Sequence, residues 1–261
     1  MNGGDASVAS AAPAASSARD AAPSPHAAPC LHSLPNGYRA LVIGASGAIG
    51  AAFFQHLQAD PRCAQVLGLH RHGAPRIDYA DESSVAEAAA ALRGSAPWSL
   101  VLVATGVLHS PDAAPEKRLA DLAYGPLESV FRTNTFGPAM VLRHFAPLLA
   151  KERSVLAVLS AKVGSVGDNR LGGWYAYRAS KAALNMLVKT AAIEVRRTHP
   201  GAVLVALHPG TVSSALSRPF KGDDIGQPPA QATAAMLAVL DTLQPEDSGS
   251  FLAYNGQRLP W

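Results

Sequence analysis

The feature that most constrains this chain is an alternation of short apolar runs with longer segments of helical period. The runs fall at 39–43 (RALVI), 65–70 (QVLGLH), 75–77, 99–104 (SLVLVA), 154–159 (SVLAVL), 202–207 (AVLVAL) and 250–254. Helical patterns are expected between them at about 49–60, 83–92, 136–150, 175–198 and 228–243. Strands separated by helices at this spacing run parallel, because each crossover returns the chain to the same end of the sheet. Their near-continuous apolar character fits strands covered on both faces. The expectation is a single α/β domain over 38–261: a doubly wound, mostly parallel sheet of seven strands with helices on both faces.

Residues 1–37 read differently. They are rich in Ala, Ser and Pro, with prolines at 13, 23, 25, 29 and 35 and few large apolar side chains. Such a stretch cannot offset the entropy of its own ordering, so a flexible tail is expected. A targeting role stays open. Arg19 is the tail's only Lys or Arg, Asp5 and Asp20 weaken a transit-peptide reading, and no signal-type apolar region follows the start. No run approaches the roughly 18 apolar residues of a membrane span. Lys and Arg total 22 against 19 acids, without a dense basic block, which argues against a nucleic-acid partner. Cys30 and Cys63, the only cysteines, form neither a metal-ligand spacing nor a disulfide framework, and no HExxH-type arrangement occurs. No metal site is expected, and a cytoplasmic location is compatible with this cysteine usage.

The segment LVIGASGAIG places Gly44, Gly47 and Gly50 directly after the first strand. Glycines there let the backbone approach a pyrophosphate, and the helix that follows aims its free N–H groups at the same anion. The plain alternative is a tightly packed turn. No GKS or GKT follows, so a phosphoryl-transfer loop is not expected. After the second strand, where an NAD site commonly offers an acid, the chain has His70, Arg71 and His72. A cation there favours the 2′-phosphate of NADP, although Arg71 also reads as an ordinary surface residue. Asp78 is a candidate for the adenine amino group, or simply a turn acid.

Tyr177 and Lys181 stand four apart in YAYRASKAAL and so share one helix face. A phenol is a poor acid or base at neutral pH, but a neighbouring ammonium favours the phenolate. The pair is therefore a candidate centre for passing a proton to a carbonyl oxygen and taking it back from an alcohol. The same spacing also occurs on helix surfaces without function.

The GASGAIG turn, Asn134 in FRTNTFGP, Ser160 in LAVLSAKVGS, YAYRASKAALN and HPGTV at 208–212 occur in the order found in one family. Over 38–261 the chain resembles the short-chain dehydrogenases/reductases. DNRLGGWYAYRASKAALN and the ending YNGQRLPW carry a closer likeness to C-factor-like proteins and sniffer-like carbonyl reductases. The resemblance implies a Rossmann fold and an NADP(H)-dependent oxidoreductase that interconverts an aldehyde or ketone and its alcohol. The helices around 136–150 and 175–198 are candidate interfaces of a homodimer or homotetramer, or equally solvated faces. It implies Tyr177 as acid/base and Lys181 as the partner that lowers the tyrosine pKa and binds ribose. Asn134 would serve a proton relay, and a serine would polarise the substrate. Gly44, Ser46, Gly47 and Ile49 would line the cofactor phosphates. Arg71 would meet the 2′-phosphate, and Asp78 with Tyr79 would meet adenine. Ala104, Thr105 and Gly106 would lie beneath the cofactor, with Pro209, Gly210, Thr211 and Val212 passing its nicotinamide end.

Three departures from the family pattern stand out. Ala48 occupies the usual place of the second glycine, and Gly47 precedes it. VATG at 103–106 replaces NNAG. The usual serine doublet is Ser160-Ala161, with the catalytic role normally at the second position, so Ser160 is the first candidate and Ser165 the reserve. Substrate is expected among 107–115, 164–174 and 213–224, the last as a lid, with Trp174 as an aromatic wall or a core residue. A cofactor-binding signalling or regulatory protein with little turnover is the main alternative; an isomerase or dehydratase on the same scaffold is a third.

Overall fold

A computed structural model describes residues 30–109, 114–220 and 222–261. Its strands are β1 (Tyr38–Ile43), β2 (Cys63–Leu69), β3 (Leu100–Val103), β4 (Ser154–Leu159), β5 (Ala202–His208) and β6 (Ser250–Ala253). All pair in parallel, in the order β2-β1-β3-β4-β5-β6. The helices are α1 (Ala48–Ala59), α2 (Glu82–Leu92), α3 (Tyr124–Phe131), α4 (Gly137–Phe145), α5 (Tyr175–Val195), a single turn α6 (Gly222–Ile225) and α7 (Pro229–Thr242).

Alternate side chains of each strand enter two separate apolar layers. Leu41, Ile43, Val101, Val103, Leu156, Val158, Leu204 and Ala206 face α2, α4 and α5. Ala40, Val42, Leu100, Leu102, Val155, Ala157, Val203 and Val205 face α1 and α7. This two-sided burial is why the strands read as unbroken apolar runs rather than alternating ones.

The expected seven-stranded sheet is corrected to six. Residues 75–77 do not form a strand; they contribute one isolated bridge, His70 with Arg76. Pro75 has no N–H to donate to a ladder, and Arg76 and Asp78 turn instead to a local ion-pair cluster with Asp81. The 136–150 segment is likewise broken up. A π-helical turn, Arg132–Phe136, precedes α4, and a 3-10 turn, Ala146–Leu148, ends it. The helix α3 was not among the sequence expectations.

Of the stretch expected as a tail, residues 1–29 lie outside the described residues. Leu31 and Leu34 are buried in the α1/α7 layer. The buried Asp60 carboxylate accepts from Leu31 N (3.1 Å) and from the Tyr38 hydroxyl (2.8 Å). Arg62 donates to the Leu31 and Leu34 carbonyls. Packing against the sheet thus begins ahead of β1.

The order of the sheet positions the site. From β1 the chain crosses to β2 on one side and then to β3 on the other, so the β1 and β3 ends diverge into a crevice. Gly44 follows β1 at φ +89, a conformation that favours glycine. A Cβ on Gly50, in the first turn of α1, would lie 2.1 Å from the Gly44 carbonyl oxygen. The close approach of α1 to β1 therefore requires Gly50. Gly50→Ala is expected to lower stability by about 1–3 kcal/mol, read from denaturant midpoints. An unchanged midpoint would show that α1 can retreat without cost.

Candidate active site

The crevice holds a cavity of about 660 Å³, within the range of small-molecule sites. Gly44, Ser46, Gly47, Arg71, Asp78, Tyr79, Ala104, Thr105 and Gly106 all line it. The turn that departs from the family spacing still makes a cradle. A Cβ on Gly47 would meet no atom closer than 3.5 Å. The α1 N-terminus has no side-chain cap and no acid in its first turn, so its N–H groups and positive end remain available to an anion. Arg71 is exposed on the cavity wall and forms no ion pair among the described residues. Arg76, close in sequence, is committed to Asp78 and Asp81. A dinucleotide carrying an extra phosphate fits this donor set. Asp78 accepts from Ala80 N, and its own N–H donates to Ser84 Oγ.

Thr105, in the unusual VATG turn, is held from two sides. Its hydroxyl is 3.2 Å from the Tyr79 hydroxyl, and its methyl would lie 2.9 Å from a Cβ on Gly44. The Tyr79 ring in turn occupies the space of a Gly137 side chain, with ring carbons 2.2 Å from where a Cβ would be. Ile49 packs in the α1/α7 layer and is not on the cavity wall.

The proton-transfer candidates lie beyond that cavity, on α5 and its neighbours. Gly106 joins the two regions: a Cβ there would be 3.5 Å from Asn134 Oδ1 and 3.6 Å from Lys181 Nζ. Asn134 sits in the π-helical turn, a local irregularity frequent at functional sites. Its amide accepts from Val107 N (2.9 Å) and donates to Val107 O (2.8 Å) and Ser180 Oγ (3.1 Å). Ser180 Oγ donates to Tyr177 O, and Ser180 O accepts from Thr135 Oγ1. Ser180 was not singled out from sequence, yet it couples the π turn to the helix bearing Tyr177 and Lys181.

Lys181 is buried, and Nζ donates to the Leu159 carbonyl at 2.9 Å. Gly164 permits this depth, since a Cβ on it would be 2.7 Å from Lys181 Cβ. Burial pushes the ammonium down to about 7 and the Tyr177 phenol up to about 12. Burial is the cause of both shifts, and Nζ is engaged by a carbonyl. The Tyr177 ring stands edge-on to Trp174, centroids 6.3 Å apart. Trp174 has φ +53, a left-handed conformation costing a bulky residue on the order of 1–3 kcal/mol.

Both candidate serines have partners. Ser160 Oγ donates to Asn185 Oδ1 at 2.6 Å. Ser165 Oγ donates to the Trp261 carbonyl and accepts from Asp168 N. After β5, Gly210 takes φ +76, packed against the Tyr254 ring. Gln227 staples this loop, donating from Nε2 to Pro209 O and from its backbone to Thr211 O. Val212 is buried in the apolar layer. Gln227, Tyr254 and Glu116, whose carboxylate accepts from Ala176 N, carried no local sequence signal. Of the expected substrate segments, 110–113 and 221 lie outside the described residues.

Lys181 also links the site to stability. In the unfolded chain its pKa returns to about 10.4. Between about 7 and that value the unfolded chain holds a proton that the folded chain has released, so stability rises with pH across this window. The difference in unfolding free energy between wild type and Lys181→Met is expected to shift in favour of wild type from pH 7 to pH 10. Denaturant titrations giving a flat difference would contradict the buried ammonium.

Among the described residues, no helix is long and apolar enough to cross a membrane, and no group of His, Cys, Asp and Glu could hold a metal. The chain is 32% identical over 187 residues to a 1-hydroxy-2-glutathionyl-2-methyl-3-butene dehydrogenase of Rhodococcus sp. (strain AD45), covering 72% of this chain and 79% of that protein. It is 38% identical over 144 residues to the C-signal protein of Myxococcus xanthus, covering 55% and 83%. Its fold matches an NADPH-bound carbonyl reductase from chicken fatty liver, with a TM-score of 0.74, 26% identity, and 87% and 96% of the two chains covered. The carbonyl reductase Sniffer of D. melanogaster shares the fold at a TM-score of 0.73 and 21% identity, over 86% and 99% of the two chains. Residues 38–224 match the family model described as short chain dehydrogenase, and the chain belongs to that family.

Proposed function

We propose that this protein is an NADP(H)-dependent oxidoreductase that reduces an aldehyde or ketone and, in reverse, oxidises the alcohol. The observation that carries the reading is the continuity from the glycine cradle and Arg71, through Gly106, to Asn134 and Lys181, with Tyr177 on the same helix as Lys181. The chicken carbonyl reductase, with NADPH bound, supports the cofactor assignment.

NADPH, when bound, supplies the hydride. Gly44, Ser46 and Gly47 with the α1 N-terminus would hold its pyrophosphate, Arg71 its 2′-phosphate, and Asp78 and Tyr79 its adenine. Ile49 would support the turn. Ala104, Thr105 and Gly106 would lie under it, and Pro209, Gly210 and Val212 beside its far end. Tyr177 gives its phenolic proton to the carbonyl oxygen in reduction and takes it back in oxidation. A phenol held near 12 keeps its proton until negative charge builds on the substrate oxygen, which then becomes the stronger base and takes it. Lys181 would bind the cofactor ribose through Nζ, and Asn134 fixes the Val107 backbone beside it. Ser160 would polarise the carbonyl only by exchanging its bond to Asn185, and Ser165 only by leaving Trp261.

Phe136, Met186 and Ile193 are exposed apolar side chains on and beside α4 and α5, which supports a homodimer or homotetramer. Cys30 and Cys63 are free thiols, which suits a reducing, cytoplasmic setting.

The committed serines, together with the likeness to C-signal, favour one second reading: a cofactor-binding signalling or regulatory protein with little turnover. Turnover separates the two. With a panel of aldehydes and ketones, NADPH oxidation is expected in wild type. Tyr177→Phe is expected to lower it by about 10²–10⁴ while leaving NADPH affinity near wild type. Wild-type turnover in Tyr177→Phe would remove the mechanism, and NADPH binding without turnover by wild type would favour the second reading. Arg71 predicts that NADPH binds at least about tenfold more tightly than NADH, a preference that Arg71→Ala reduces. Equal fluorescence titrations for the two cofactors would refute the assignment.

A further inference from the structure

We propose that Glu116 is a positioning residue for Tyr177, holding the left-handed turn from which the tyrosine's helix starts. Glu116 is only 6% exposed. Its carboxylate Oε2 accepts from Ala176 N at 3.2 Å, and its backbone carbonyl accepts from Trp174 N. It thus grips α5 on both sides of the helix start, across 60 residues of sequence.

The turn needs such a grip. Gly172, Gly173 and Trp174 are successive left-handed residues, with φ of +62, +65 and +53. Trp174 is the only non-glycine residue with positive φ among those described. It is also the N-cap of α5 and provides no side-chain cap. Ser, Thr, Asp and Asn are favoured at this position because their side chains accept from an N–H of the first turn, which an indole cannot do. Glu116 supplies the missing acceptor from outside the helix, at the end where α5 presents its free N–H groups.

Tyr177 directly follows Ala176, the residue so capped, and its ring stands edge-on to the Trp174 indole. The first turn of α5 sets where the phenol points. Releasing the cap frees Trp174 to leave its strained conformation, and the tyrosine ring moves with it. The carboxylate therefore acts through Tyr177 and not on substrate. Val107, which Asn134 binds, and Glu116 both come after β3 in the chain, and each is bonded to the site's surroundings.

The kinetic part of the test rests on the carbonyl-reductase reading; the spectroscopic part does not. Glu116→Ala, Glu116→Gln, Trp174→Phe and the double variant Glu116→Ala/Trp174→Phe are compared as full-length protein. With the best substrate from a panel that includes benzaldehyde and cyclohexanone, Glu116→Ala is expected to lower kcat by about tenfold to a hundredfold, with the NADPH Kd near wild type. Glu116→Gln keeps an oxygen able to accept from Ala176 N and recovers most of the loss. Tryptophan emission shifts in Glu116→Ala, and that shift vanishes in the Trp174→Phe background, where Trp98 and Trp261 remain. Wild-type kcat in Glu116→Ala overturns the proposal, as does a parallel loss of kcat and NADPH affinity in both Glu116 variants. If wild type reduces no carbonyl, the failure belongs to the proposed function. Emission then decides the clamp, and a Glu116→Ala spectrum identical to wild type overturns it.

Discussion

Burial of the parallel sheet on both faces is the constraint on which everything else in this protein depends. With apolar side chains above and below, and ladder bonds consuming the backbone between, the strands leave no room for polar chemistry within the sheet. Polar groups collect at the strand ends. The carboxyl ends of β1 and β3 part because their crossovers run in opposite directions, and the cradle forms in that gap. Gly44 and Gly50 are needed for the same reason: a buried strand followed at once by a buried helix brings two backbones to contact distance.

The same burial governs the electrostatics. Lys181 is an ammonium inside the protein with a carbonyl for a partner, and Tyr177 is a phenol removed from water. Desolvation moves both towards their neutral forms. What organises them is hydrogen bonding and not charge pairing. Asn134, displaced into a π turn, ties the Val107 loop to Ser180, and Ser180 lies between Tyr177 and Lys181 on α5. The loop after β3, the π turn and the helix that carries Tyr177 and Lys181 are thereby joined in one buried polar network, in which each bond limits the freedom of the others.

The departures from the family pattern have different consequences. The altered glycine turn and the VATG sequence leave an open cavity, with Thr105 fixed by Tyr79 and Gly137 making room for the Tyr79 ring. The serine change is of another kind. Ser160 and Ser165 form parts of separate structural contacts, one to α5 and one to the C-terminal carbonyl of Trp261.

Much of this was legible in the sequence. The two-sided apolar runs determined a parallel, doubly wound domain, and the order of the glycine turn, Asn134, Tyr177 and Lys181 determined its family. Periodicity reports local burial, so it located β1, β2, β3, β4, β5 and β6. It failed at 75–77, where Pro75 removes a donor and ion pairs take Arg76, and it saw neither α3 nor the π turn. Only the tertiary structure decided how deeply Lys181 is buried, which atoms occupy the serine hydroxyls, and that Glu116 caps a helix 60 residues away. Those facts depend on contacts between segments distant along the chain, and a local pattern carries no record of which distant partner satisfies a buried polar group.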